Sequence, residues 1–233
     1  VLTGTLSLAG NNTATGSATF TVTGGAVLDL TGGSTHIYTG NFIGTGVGTI
    51  RLNGVLQVGA AGAAFNFPGS LFQWTGGTLK GPGVLTNTGT LNLNAGLQTL
   101  DGLTLSNAAN VVWAGTGAIN LNNGAVMNNL ASGVFEAQNN ATLQWGGFGG
   151  APTFNNAGLV RKSAGAGTTT FGNAVAFTNT ATVNAQAGVM NFSGSYIQIT
   201  GTTSLNGGNL AASGALNIQG GSLSGAGVLT ATV

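Results

Sequence analysis

Seven side chains carry charge in this 233-residue chain: Asp29, Arg51, Lys80, Asp101, Glu136, Arg161 and Lys162, with His36 as the single imidazole. Carboxylates do acid–base work or hold Ca²⁺ only when they cluster. Here each acid has a base 21 to 25 residues away in matching surroundings. Leu28-Asp29-Leu30 aligns with Ile50-Arg51-Leu52, Leu79-Lys80 with Leu100-Asp101, and Val134-Phe135-Glu136 with Leu159-Val160-Arg161. Opposite charges on equivalent positions of stacked units attract across neighbouring strands, so the three pairs are expected to be structural. Lys162 is left over and equals the net charge of +1. His36, without a second His or any Cys, lacks the ligand count of a metal site. Three aromatic side chains remain as candidates for stacking on sugar rings. These are Trp74 and Trp145, read as equivalent from Phe72-Gln73-Trp74 and Leu143-Gln144-Trp145, and Tyr38 near His36.

Composition narrows the chemistry further. Charged residues are 3% of the chain, against about a quarter in ordinary globular proteins, so no enzymatic site and no cofactor is expected. A net charge of +1 gives no basic patch for nucleic acid or anionic lipid. No apolar run approaches the ~18 residues of a membrane span. With 42% hydrophobic residues and only 3 Pro, the chain has the apolar content to fold.

The elements that position these groups read as strands. Apolar residues alternate at Leu6/Leu8, Leu28/Leu30, Ile50/Leu52, Leu91/Leu93, Leu103/Leu105, Ile119/Leu121 and Ile197/Ile199, the period-two signature of β structure. Asn53-Gly54, Asn123-Gly124 and Asn206-Gly207 are turn signals between them. A pattern of Asn, three residues and an apolar position recurs as Asn87 to Leu91, Asn107 to Val111, Asn156 to Val160 and Asn179 to Val183. A fixed period of 20 or slightly more, with charge pairs at the same offset, predicts a stack of coils. The fold expected over 1–233 is one right-handed parallel β-helix (β-solenoid) of about 10–11 coils of roughly 20–25 residues, rising ~4.8 Å per coil. Stacked aliphatic residues are expected to fill it. Asn87, Asn107, Asn129, Asn156 and Asn179 are expected to form an amide ladder inside a corner.

Gly89-Thr90-Leu91-Asn92-Leu93, Phe154-Asn155-Asn156-Ala157-Gly158, Gly207-Gly208-Asn209-Leu210 and Gly220-Gly221-Ser222-Leu223-Ser224-Gly225-Ala226-Gly227 resemble the repeats of bacterial secreted β-helix proteins of the filamentous-haemagglutinin-like adhesin and autotransporter passenger type. The resemblance covers most of the chain and implies a secreted, cell-surface location and a role in attachment or as a stalk. It carries over no catalytic residue. Val1-Leu2-Thr3-Gly4-Thr5-Leu6 matches Val228-Leu229-Thr230-Ala231-Thr232-Val233 in repeat phase. Expected partners are therefore copies of the chain stacked head to tail, or flanking repeats of a longer protein. The reading is a non-enzymatic extracellular stalk, fibre or adhesin segment. Its alternative is a carbohydrate-binding module that uses Trp74, Trp145 or Tyr38 on surface glycans.

Overall fold

The computed structural model describes residues 1–32 and 34–231. Among the described residues the only regular elements are strands, and every pairing between them is parallel. They wind into a β-solenoid with three faces. Face one is an 11-stranded sheet that starts with Thr5–Ser7 and ends with Ser222–Gly225, which corresponds to ten successive turns. At ~4.8 Å per turn the stack is ~48 Å long. Faces two and three are joined at the base by three long strands, Thr13–Val22, Thr35–Gly46 and Val55–Asn66, which run through both. Higher up, each turn uses two short strands instead, such as Gln98–Asp101 on face two and Thr104–Asn107 on face three.

Alternation sets the inside of each face. In Thr90–Leu93 the two leucines are buried and Thr90 and Asn92 face outward, and the same two-in, two-out pattern recurs in Thr49–Leu52, Val134–Ala137 and Thr182–Ala185. The last expected pair differs. Ile197 and Ile199 face outward, and Tyr196 and Gln198 take the inward positions, because an amide in this corner has hydrogen-bonding partners that an Ile would leave unpaired. Coil length also varies more than the repeat suggested, from 19 residues between Gln73 and Asn92 to 28 between Leu143 and Phe171. The longer coils carry their extra residues in corner loops, above all Gly146–Pro152 between faces two and three.

The corners need tight turns. Asn123 and Gly124 both have positive φ, 53° and 69°, which the Asn-Gly pair tolerates. Elsewhere glycine answers close approach: a Cβ on Gly117 would lie 1.4 Å from the Gly96 carbonyl oxygen one coil below. The core is less uniform than stacked aliphatics. Leu79, Leu85, Leu91, Leu100 and Leu105 fill the middle. Phe42, Phe65, Phe67, Phe72 and Tyr38 pack against one another below, and Phe154, Phe171, Phe177, Phe192 and Tyr196 form a second aromatic stack above. The closing residues of the expected match with Val1–Leu6, Thr232 and Val233, lie outside the described residues.

Candidate functional site

The solenoid brings polar side chains into columns, and the first is the Asn ladder inside the corner between faces three and one. Asn87, Asn107, Asn129, Asn156 and Asn179 occupy successive register positions. Each Nδ2 donates to the Oδ1 of the next Asn, at 2.7 Å for Asn87 to Asn107 and 2.8 Å for the three steps above it. The same nitrogens donate to the first carbonyl of the next face-one strand, those of Asn110, Val134, Leu159 and Thr182. Oδ1 of Asn87, Asn156 and Asn179 also accepts the backbone N–H two residues on, which closes the corner turn locally. Buried amides thus meet the requirement that polar groups in a dry interior be paired. A sixth amide continues the column: Asn179 Nδ2 donates to Gln198 Oε1 at 3.4 Å, and Gln198 Nε2 donates to the carbonyls of Gly220 and Ser222. A search for Asn at this spacing passes over it, although its position 19 residues after Asn179 fits the period.

Two of the three expected charge pairs are closed, both on the outer surface of face one. Arg51 lies 2.8 Å from Asp29, and Arg161 lies 2.6 Å from Glu136. Asp29 Oδ1 in addition accepts the Thr31 N–H, the Thr31 hydroxyl and the Gly32 N–H. Burial alone would raise the Asp29 pKa. The Thr31 amide, the Arg51 guanidinium and the Gly32 amide together outweigh it and hold the carboxyl below its ordinary range. Glu136 behaves likewise: burial opposes ionisation, and Arg161, Ser163 and Gln138 overcome it. The third pair is different. Lys80 and Asp101 are neighbours in register on face two, yet no ion pair joins them, and Asp101 accepts from the Asn123 side chain instead. Both are partly solvated, so holding a long Lys side chain in place gains little.

The aromatic candidates separate. Trp74 is 1% exposed on face one and Tyr38 1% exposed at the base of face two, its hydroxyl donating to the Leu30 carbonyl at 3.0 Å. Neither ring can meet a glycan. Trp74 and Trp145 are also not equivalent, because Trp74 belongs to face one and Trp145 to face two. The shared Gln-Trp motif reflects the alternation common to all three faces. Trp145 sits in register above Leu121, the top of a buried leucine column, and its Nε1 donates to the Phe148 carbonyl. It is 37% exposed, and Phe148 beside it in the glycine-rich loop is 67% exposed.

His36 points inward, with Nε2 unpartnered among the described residues, and lines a cavity of about 260 Å³ with Asn12, Thr13 and Tyr38. Among the described residues no three metal-ligating side chains converge, and no helix is long and apolar enough to cross a membrane. The residue that sequence reasoning left without a place is Lys162, fully buried at the inward position that alternation assigns it after Val160. Its signal was available, since Leu159-Val160-Arg161-Lys162 puts one of two adjacent cations inside. No family model matches the chain, and no curated protein or solved structure matches it.

Proposed function

We propose that the chain is a non-enzymatic, secreted, cell-surface β-solenoid that serves as a rigid stalk, fibre or adhesin segment. Its partners are flanking repeats of the same kind or further copies of the chain stacked end to end. The observation that carries the reading is the unbroken amide column from Asn87 to Gln198 running beside an 11-stranded parallel sheet. Every turn is tied to the next by backbone and side-chain bonds along the axis, so load along the rod is shared among many parallel hydrogen bonds. With 3% charged residues and only two closed ion pairs among the described residues, the rod is expected to keep its stiffness across salt and pH.

The test is electron microscopy of the purified chain over a range of concentrations, with pulling along the axis by force microscopy. Straight rods near ~48 Å, or unbranched filaments one rod wide with a ~4.8 Å axial repeat, support a spacer and a self-assembling fibre respectively. Flexible or compact particles that extend at low force overturn the reading. A second reading is favoured by one observation, the exposure of Trp145 beside Phe148: a carbohydrate-binding surface at the corner of faces two and three. Retention on neutral glycan columns that Trp145→Ala abolishes would support it, and retention unchanged by that substitution would remove it.

A further inference from the structure

Lys162 carries its ammonium group into the core with no carboxylate opposite. Its column on face one reads Trp113, Ala137, Lys162, Ala185, and the small Ala137 below leaves room for the long side chain to turn into the corner between faces one and two. Nζ meets four oxygens there: the Asn139 carbonyl, Asn140 Oδ1 at 3.2 Å, the Ala164 carbonyl at 2.9 Å and the Thr169 hydroxyl at 3.0 Å. Glu136 lies on the outer surface, occupied by Arg161, Ser163 and Gln138. An ammonium buried without a counter-charge is costly even among hydrogen-bonding oxygens, and burial favours its neutral form. Burial accordingly pushes the Lys162 pKa below its ordinary value. The neutral amine is a nucleophile.

The side chain in front of it is an electrophile. Asn140 Oδ1 accepts the Gly167 N–H at 3.0 Å as well as Nζ, so a fixed backbone donor already faces the oxygen on which charge would develop. We infer that Lys162 and Asn140 are placed to form an intramolecular isopeptide bond, a covalent rung between adjacent coils. Nζ attacks Cγ of Asn140, the Nζ–Cγ bond forms and the Cγ–Nδ2 bond breaks. One proton passes from Nζ to Nδ2, which leaves as ammonia, and no oxidant or other co-reactant is consumed. Asn140 lines a surface cavity of about 290 Å³ together with Thr116, Gln138 and Gly165, which gives the ammonia a way out. The Thr169 hydroxyl, itself bonded to the Asn139 carbonyl, fixes the amine. No carboxyl group assists, so the step relies on proximity, which supplies effective molarities of ~10⁵–10⁸ M for well-oriented groups. The chain has no Cys, so the rung cannot be a disulfide.

The test is intact-mass and tandem mass spectrometry of the folded chain held at pH values from about 7 to about 9. The expected product is lighter by about 17 Da, the mass of ammonia, and yields a branched peptide joining positions 140 and 162. Its rate of formation rises about tenfold per pH unit below the amine pKa. Lys162→Met and Asn140→Ala keep their full sequence masses. A folded chain still at full mass after about one week at about pH 9 overturns the inference. So does an equal mass loss that persists in Lys162→Met, which would be a succinimide at an Asn-Gly turn.

Discussion

Asn129→Ala tests the amide ladder where it is best surrounded. Asn129 donates to Asn156 Oδ1 at 2.8 Å, to the Leu159 carbonyl at 3.1 Å and to the Gly133 carbonyl at 3.2 Å, and its Oδ1 accepts from Asn107 at 2.8 Å. Its two N–H groups and one acceptor contribute at about 1 kcal/mol per buried neutral hydrogen bond, and the partners left unpaired add to the loss, so the expected cost is about 2–4 kcal/mol. Asn128 provides the internal control. It is the same residue type in the same strand, but it faces outward and shares a single bond at 2.9 Å with Asn155, so Asn128→Ala should cost no more than about 0.5 kcal/mol. Native-state hydrogen exchange is the suitable assay, because stacked coils open locally. Amides of the face-one strands Val134–Ala137 and Leu159–Lys162 should exchange ~30- to ~700-fold faster in Asn129→Ala, at about 1.4 kcal/mol per tenfold change. Equal protection in the two variants would refute the argument that the ladder holds the coils together.

Asp29→Ala should destabilise by about 1–3 kcal/mol, more than Arg51→Ala, because Asp29 also accepts three bonds from Thr31 and Gly32. A double-mutant cycle by urea unfolding should assign only about 0.2–1 kcal/mol to the pair itself. Since the folded Asp29 pKa lies below its ordinary 3.8, its contribution is complete above that pH and lost as pH falls through the folded value. Asp29→Asn should flatten that part of an acid titration of stability. The 2 Tyr have opposite sign: burial pushes Tyr196 up to about 12 and raises Tyr38 as well, with Asp29 adding repulsion. Stability from the neutral phenols is therefore present below about pH 10 and lost above it, and the phenolate absorbance of Tyr196 in the folded chain should reach its midpoint only near pH 12. Phenolate appearing near pH 10 in a folded chain would contradict their burial. Of the 3 Trp, iodide should quench Trp145 alone, and Trp145→Phe should remove the quenchable fraction.

What was legible in the sequence is what the stack repeats. Alternation and turn chemistry act within a few residues, the Asn pattern returns on successive coils and each of two charge pairs spans one coil, so register follows from spacing. Corner geometry was harder to read. Whether Lys80 reaches Asp101 depends on competing partners such as Asn123, and whether Trp145 is exposed depends on the strand above it. Leu143 pairs upward with Phe171, and nothing buried continues the column over Trp145. The two Gln-Trp motifs appeared equivalent because a three-faced solenoid gives every face the same in–out code. Spacing identifies a column only when the face is known too.

One inward column runs from the base of the stack to its upper coils. Reading upward in register, its residues are Ala18, Phe42, Phe65, Asn87, Asn107, Asn129, Asn156, Asn179, Gln198 and Ile218. The same inward site is filled by rings at the base and by amides above, and the change from Phe65 to Asn87 coincides with the break of the long strands into two short ones. After the last long strand, Val55–Asn66, the corner is reached through Phe67-Pro68-Gly69-Ser70, and Phe65 and Phe67 pack together with ring centroids 5.0 Å apart. In the coils above, the strand on face three ends at the amide and the chain turns within about two residues, which leaves backbone groups that a hydrocarbon side chain could not satisfy. The amide pairs them and passes one donor upward. The ladder is thus the chemical requirement of a tight corner repeated on every turn, and its stiffness along the axis follows from that local need.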